Sequence, residues 1–98
     1  MHVLTVSRLT QDIKKQLETG FASVSVQGEV SNCKLQSSGH YYFTLKDAFS
    51  QISCVLFKGQ TKTLSSASGM RTLKDGDKIV LHGEISVYVP RGTYQIIV

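Results

Sequence analysis

At 98 residues the chain has the size of one domain built around a single hydrophobic core. An apolar fraction of 41% with 18% charged residues excludes a disordered or fibrous chain. No apolar run has the length of a membrane span, and the amino terminus lacks the pattern of a signal peptide, so a cytoplasmic protein is expected. Eleven Lys and Arg against seven Asp and Glu leave a net charge of +4, which favours a polyanionic partner but also serves solubility.

The first element is a helix. In "VSRLTQDIKKQLETGF", Leu9, Ile13 and Leu17 recur every four residues, while Asp12, Lys14 and Lys15 fall on other faces. Thr5 or Ser7 can cap its start and Gly20 stop it, with Phe21 as a hydrophobic anchor. From residue 22 the period changes to alternation. "ASVSVQGEV" sets Val24 and Val26 against Ser23 and Ser25. "HYYFTLK" and "QISCVLF" follow, joined by "DAFS", a connection short enough for a hairpin. The connection "KGQTKTLSSASGMRTLKDGD" is small, polar and basic, with room for one short helix over Thr61 to Ser66 and Leu64 facing inward. "DKIVLHGEISVYV" is a long strand in which Ile79, Leu81, Gly83 and Ile85 share one parity, Gly83 marking a bend. "PRG" is a turn, and "TYQIIV" closes as a fifth strand.

This order predicts an all-β fold: a five-stranded Greek-key barrel of the OB type over residues 22–98, with a helix over residues 1–21 packed on it. Such barrels bind oligonucleotides or oligosaccharides on strands two and three, between the loops after strands one and four. Here those loops are "SNCKLQSSG" and "VPRGT".

On the second strand Tyr41, Phe43 and Leu45 share one face; His40, Tyr42, Thr44 and Lys46 share the other. The first set suits a core. The second joins a ring, an imidazole, a hydroxyl and an ammonium, a composition on which bases stack and phosphates are held. Tyr42 as a cross-strand packing partner is the plainer alternative. On the third strand Ile52, Cys54 and Leu56 are expected inward and Gln51, Ser53, Val55 and Phe57 outward, which adds a second outward ring. Arg91 lies between Tyr88 and Tyr94 in "YVPRGTY", where its guanidinium could meet phosphate or a base, or simply solvent. Lys34 in the first loop is a candidate phosphate contact. His2 and His82 have no evident partner.

Nothing in the chain reads as catalytic. The acids Asp12, Glu18, Glu29, Asp47, Asp75, Asp77 and Glu84 are dispersed, and Asp75 with Asp77 is most simply a turn. Cys54 reads as a small core residue and Cys33 as a loop thiol, with no spacing that suggests a disulfide or zinc. No metal or cofactor is expected.

Taken together, "VQGEVSN", "SSGHYYFTLKD", "ISCVLF", "DGDKIVLHGEIS" and "YVPRGTYQIIV" closely resemble the amino-terminal domain of the exodeoxyribonuclease VII large-subunit family, and "LTVSRLTQDIKKQLE" resembles the helix before that family's barrel. The resemblance covers nearly the whole chain. It implies an OB-fold that binds single-stranded DNA for a larger bacterial enzyme, a hydrolase whose nuclease domain follows and whose helical region gathers small subunits. It further implies metal-independent degradation of single-stranded DNA to oligonucleotides, by residues absent from this fragment. The segment "SSASGMRT" departs from the family in carrying little arginine. Two other readings stay open: an assembly domain facing a nuclease domain or partner subunit, with dimerisation of the isolated fragment, and a tRNA-binding domain.

Overall fold

The computed structural model describes residues 3–57, 64–66 and 73–98. Helix α1 (Val6–Gly20) precedes six strands: β1 (Val24–Leu35), β2 (Tyr41–Lys46), β3 (Gln51–Leu56), β4 (Leu64–Ser66), β5 (Lys78–Tyr88) and β6 (Thr93–Ile97). β1 pairs with β2, β2 with β3, β3 with β6 in parallel, β6 with β5, and β5 returns to β1. That ring of five strands is the expected OB barrel. Its inward parity carries Val30, Phe43, Leu45, Cys54, Leu56, Leu81 and Ile96, all buried. Each such aliphatic side chain contributes about 1.5–3 kcal/mol by leaving water.

β5 organises the ring because each of its edges serves two partners in turn. Along one edge, Lys78 to Gly83 pair with β1, after which β1 has no further residues to offer. On the other edge β4 lies beside Ile79 to Leu81 and β6 beside Glu84 to Tyr88. Gly83 stands where both changes occur. A Cβ there would run into the Ile97 carbonyl oxygen and lie 2.9 Å from Ile96 Cγ2. The glycine expected to mark a bend thus marks a close approach of backbones.

Beyond Gly83 the first edge of β5 is covered by the helix. The Ile85 N–H donates to the Phe21 carbonyl at 3.0 Å, and the Val87 N–H donates to Glu18 Oε2 at 3.1 Å. The Ser86 hydroxyl and the Lys14 ammonium donate to the same carboxylate oxygen. Lys14 first, then the Val87 N–H, hold the Glu18 pKa below its ordinary value. Thr5 supplies the N-cap, its hydroxyl accepting from the Arg8 N–H at 3.1 Å. Phe21 anchors through its carbonyl rather than its ring, which stays about half exposed. No residue of α1 is buried, so its Leu9–Ile13–Leu17 stripe is only partly covered.

Three further expectations need correction. The first strand does not end near Ser31 but runs to Leu35. A bulge between Ser31 and Lys34, with Asn32 at φ 52°, absorbs the irregular residues and lets pairing with β2 resume. Asn tolerates this left-handed geometry better than most side chains. Cys33 and Lys34 therefore belong to a strand, not a loop. In the long connection, Leu64–Ser66 pair with β5 as a strand instead of forming part of a helix; the rest of the expected helix, and the inward placement of Leu64, lie outside the described residues. Backbone donors and acceptors of β5 offer that segment a ladder which local periodicity does not reveal. Finally, Val55 is buried although its parity is outward. It sits between the larger Tyr42 and Ile97 on neighbouring strands, which shield it.

Replacing Gly83 with Ala should destabilise the domain by about 1–3 kcal/mol, because the added methyl meets fixed backbone; urea unfolding of the variant measures the loss. For Glu18 the lowered folded-state pKa means that its contribution is complete above the unfolded value near 4.5 and is lost as pH falls through the folded value. Urea midpoints of wild type and Glu18→Gln should accordingly differ at neutral pH and converge as the pH is lowered through the folded value.

Candidate nucleic-acid interface

The outer surface of β1, β2 and β3 is ordered in rows by strand register. Lys34, Tyr42 and Val55 form one row, Ser31, Thr44 and Ser53 the next, and Glu29, Lys46 and Gln51 the third. His40 and Phe57 flank the first row, their rings edge to face with centroids 5.1 Å apart. Tyr42 is 43% exposed and Phe57 40%. The surface thus passes from rings, through hydroxyls, to charges along the strand direction. The expected outward placement of Tyr42, Lys46 and Phe57 agrees with this burial pattern.

The bulge in β1 is what sets Lys34 opposite Tyr42. It is pinned from behind by the turn at 74–77. The Cys33 N–H donates to Asp75 Oδ1 at 2.7 Å, the Val30 N–H donates to the Asp77 carbonyl at 2.8 Å, and Asp77 Oδ2 accepts from the Lys74 N–H. Asp75 and Asp77 are thus turn and buttress residues, as their spacing suggests. The Cys33 thiol contacts the Leu73 carbonyl at 3.6 Å, and burial, followed by Asp75 and Asp77, raises its pKa. Burial pushes the Cys54 thiol up to about 12. Neither cysteine is poised as a nucleophile.

The eight residues singled out from sequence do not form one cluster. Lys34, His40, Tyr42 and Phe57 come together at the end of β2 and β3 nearest the β1–β2 connection. Lys46 stands at the opposite end, 3.8 Å from Glu29 Oε2, so part of its charge is offset. Tyr88, Arg91 and Tyr94 lie on the β5–β6 hairpin. Because β6 runs parallel to β3 with Ile96 beside Cys54, that hairpin turns at the Lys46 end. Its strands pair Tyr88 with Thr93 and Val87 with Tyr94, which places the two tyrosines on opposite faces, both at least half exposed. Arg91 is exposed in the turn, where Gly92 adopts φ 63° and its N–H donates to the Tyr88 carbonyl. His82 has a partner after all, its Nδ1 lying 2.6 Å from the Ser25 hydroxyl across the β1–β5 ladder.

Sequence reasoning passed over Phe49. It is 96% exposed at the β2–β3 turn, the most exposed large apolar side chain described. Asp47 accepts from the Phe49 and Ser50 N–H groups, each at 2.9 Å, and these two bonds hold its pKa below the ordinary range. The signal was present in "KDAFS": an Asp that closes the turn leaves the aromatic two positions on with no strand face to occupy. Among the described residues no group of His, Cys, Asp and Glu could hold a metal ion, and no helix is long and apolar enough to cross a membrane.

A closed ring of five strands in this order, with one helix against β5, is a barrel of the OB class. Residues 4–98 match the family model of the OB-fold nucleic acid binding domain, and the chain belongs to that family. It is 55% identical over 97 residues to the Exodeoxyribonuclease 7 large subunit of Helicobacter pylori (strain G27), covering 98% of this chain and 22% of that protein. To the protein of the same name from Legionella pneumophila (strain Corby) it is 48% identical over 96 residues, 98% of this chain and 21% of the relative. The chain therefore spans about a fifth of the length of these curated relatives.

Proposed function

We propose that the domain binds single-stranded DNA, without strong sequence preference, on the outer face of β2 and β3, and that it presents this DNA to the nuclease of a longer exodeoxyribonuclease VII-like large subunit. The observation that carries the reading is the row in which Lys34 stands beside Tyr42, next to the His40–Phe57 pair. A base can stack on the exposed tyrosine while the ammonium one strand away meets its phosphate. Both interactions tolerate any base, because every base has a π-face and every nucleotide a charge. The hydroxyls of Ser31, Thr44 and Ser53 offer neutral donors further along the face. Arg91 supplies a second cation at the other end of the strands.

The names of the relatives support the rest of the reading. A large subunit implies a small one, and in the parent the small subunits would assemble on parts of the polypeptide outside this domain. Hydrolysis of DNA to oligonucleotides would likewise fall to residues elsewhere in the parent, in the bacterial cytoplasm. A second reading, an assembly domain, is favoured by one observation: Val6, Leu9 and Ile13 of α1 are all at least 45% exposed.

Fluorescence titration with single-stranded oligonucleotides tests the first reading. Tyr42→Ala should cost about 1–3 kcal/mol of binding free energy at every salt concentration. Lys34→Ala should lower the slope of log K against log salt by about 0.7, the value for one phosphate contact. Light scattering separates the assembly reading: concentration-dependent dimerisation that Leu9→Asp abolishes would favour it, whereas a monomer at all concentrations counts against self-association through α1.

A further inference from the structure

We infer that Phe49 is a second base-stacking site, separated from the Tyr42 cluster by the length of the β2–β3 hairpin. The inference rests on the proposed single-stranded DNA reading and extends it to a residue outside the β2–β3 face. A phenylalanine that is 96% exposed loses nothing from the fold if replaced, so the fold does not account for it. Its backbone, in contrast, is fixed. The Asp47 carboxylate accepts from two consecutive N–H groups, and the Asp47 N–H donates to the Ser50 carbonyl at 3.0 Å. The ring is thus carried on an ordered turn, which limits the entropy lost when a base lies against it.

The charges around the turn decide what kind of contact it makes. Lys46, beside the turn, is bridged to Glu29, and Asp47 is ionised within it. This pair of carboxylates offsets the one ammonium within the turn, and Arg91, on the hairpin at the same end of the strands, is the cation there for a phosphate. Phe49 offers a ring face and nothing else, which suits a nucleobase. Between Tyr42 and Lys46 the strand advances roughly 14 Å at about 3.4 Å per residue, and the turn adds further distance. A dinucleotide therefore cannot stack on both rings, whereas a strand within the range of single OB-fold site sizes can.

The test compares oligothymidylates of about two and about twelve nucleotides, the longer lying within the range of OB-fold site sizes, on the 98-residue chain and on Phe49→Ala, Phe49→Tyr and Tyr42→Ala. Phe49→Ala should weaken the longer ligand by roughly 5- to 150-fold, leave the shorter one unchanged, and leave the salt slope unchanged. Phe49→Tyr should restore affinity, and Tyr42→Ala should weaken both ligands. If Phe49→Ala binds the longer ligand like wild type while Tyr42→Ala is impaired, the second site is wrong and the single-stranded DNA reading stands. If neither variant is impaired, or the chain binds neither ligand, both fall together.

Discussion

The fold depends on β5 changing partners at Gly83. A strand of eleven residues cannot stay straight and pair with β1, β4 and β6 along two edges of a closed ring. It must curve, and at the point of curvature the backbone of β6 passes so close that no side chain fits. The ring closure follows from that approach. Once β5 has reached β6, the parallel contact of Ile96 and Ile97 with Cys54 and Val55 joins β3, and the three strands that carry the candidate interface are fixed against the far side of the barrel.

Much of this was legible in the residues. Alternation in "HYYFTLK" separates Phe43 and Leu45 from Tyr42 and Lys46 because a strand has a period of two and one side of a barrel is dry. The burial of Phe43, Leu45, Cys54 and Leu56 follows that rule. What escaped is non-local. A bulge is invisible in the composition of "SNCKL", since its stability comes from Asp75 and Asp77 more than forty residues away. β4 escaped for a like reason: three residues with no strong pattern become a strand because β5 has an edge to offer. Val55 shows the limit of parity itself, since neighbours of unequal size can bury a small side chain on an outward face.

The candidate interface was half legible. Outward rings could be counted from the sequence, but their grouping could not. Register unites Lys34 with Tyr42 and sends Tyr88 and Tyr94 to opposite faces, although the tyrosines are close in sequence and Lys34 and Tyr42 are separated by a loop. Lys46, expected on the outward face as part of a phosphate-holding set, has an acidic cross-strand neighbour in Glu29. The positive character of the face therefore concentrates at its ringed end, where a stacked base and its phosphate would be held together.

The contact between α1 and β5 gives the amino-terminal segment a protective task. Glu18 and the Phe21 carbonyl occupy the line of donors that β1 leaves vacant at Ile85 and Val87. A version of the domain trimmed back to the first barrel strand would bare those donors on a sticky rim, and strands from neighbouring molecules could add to it. Shortening the chain to a minimal barrel would thus trade a solvated helix for a surface inclined to polymerise.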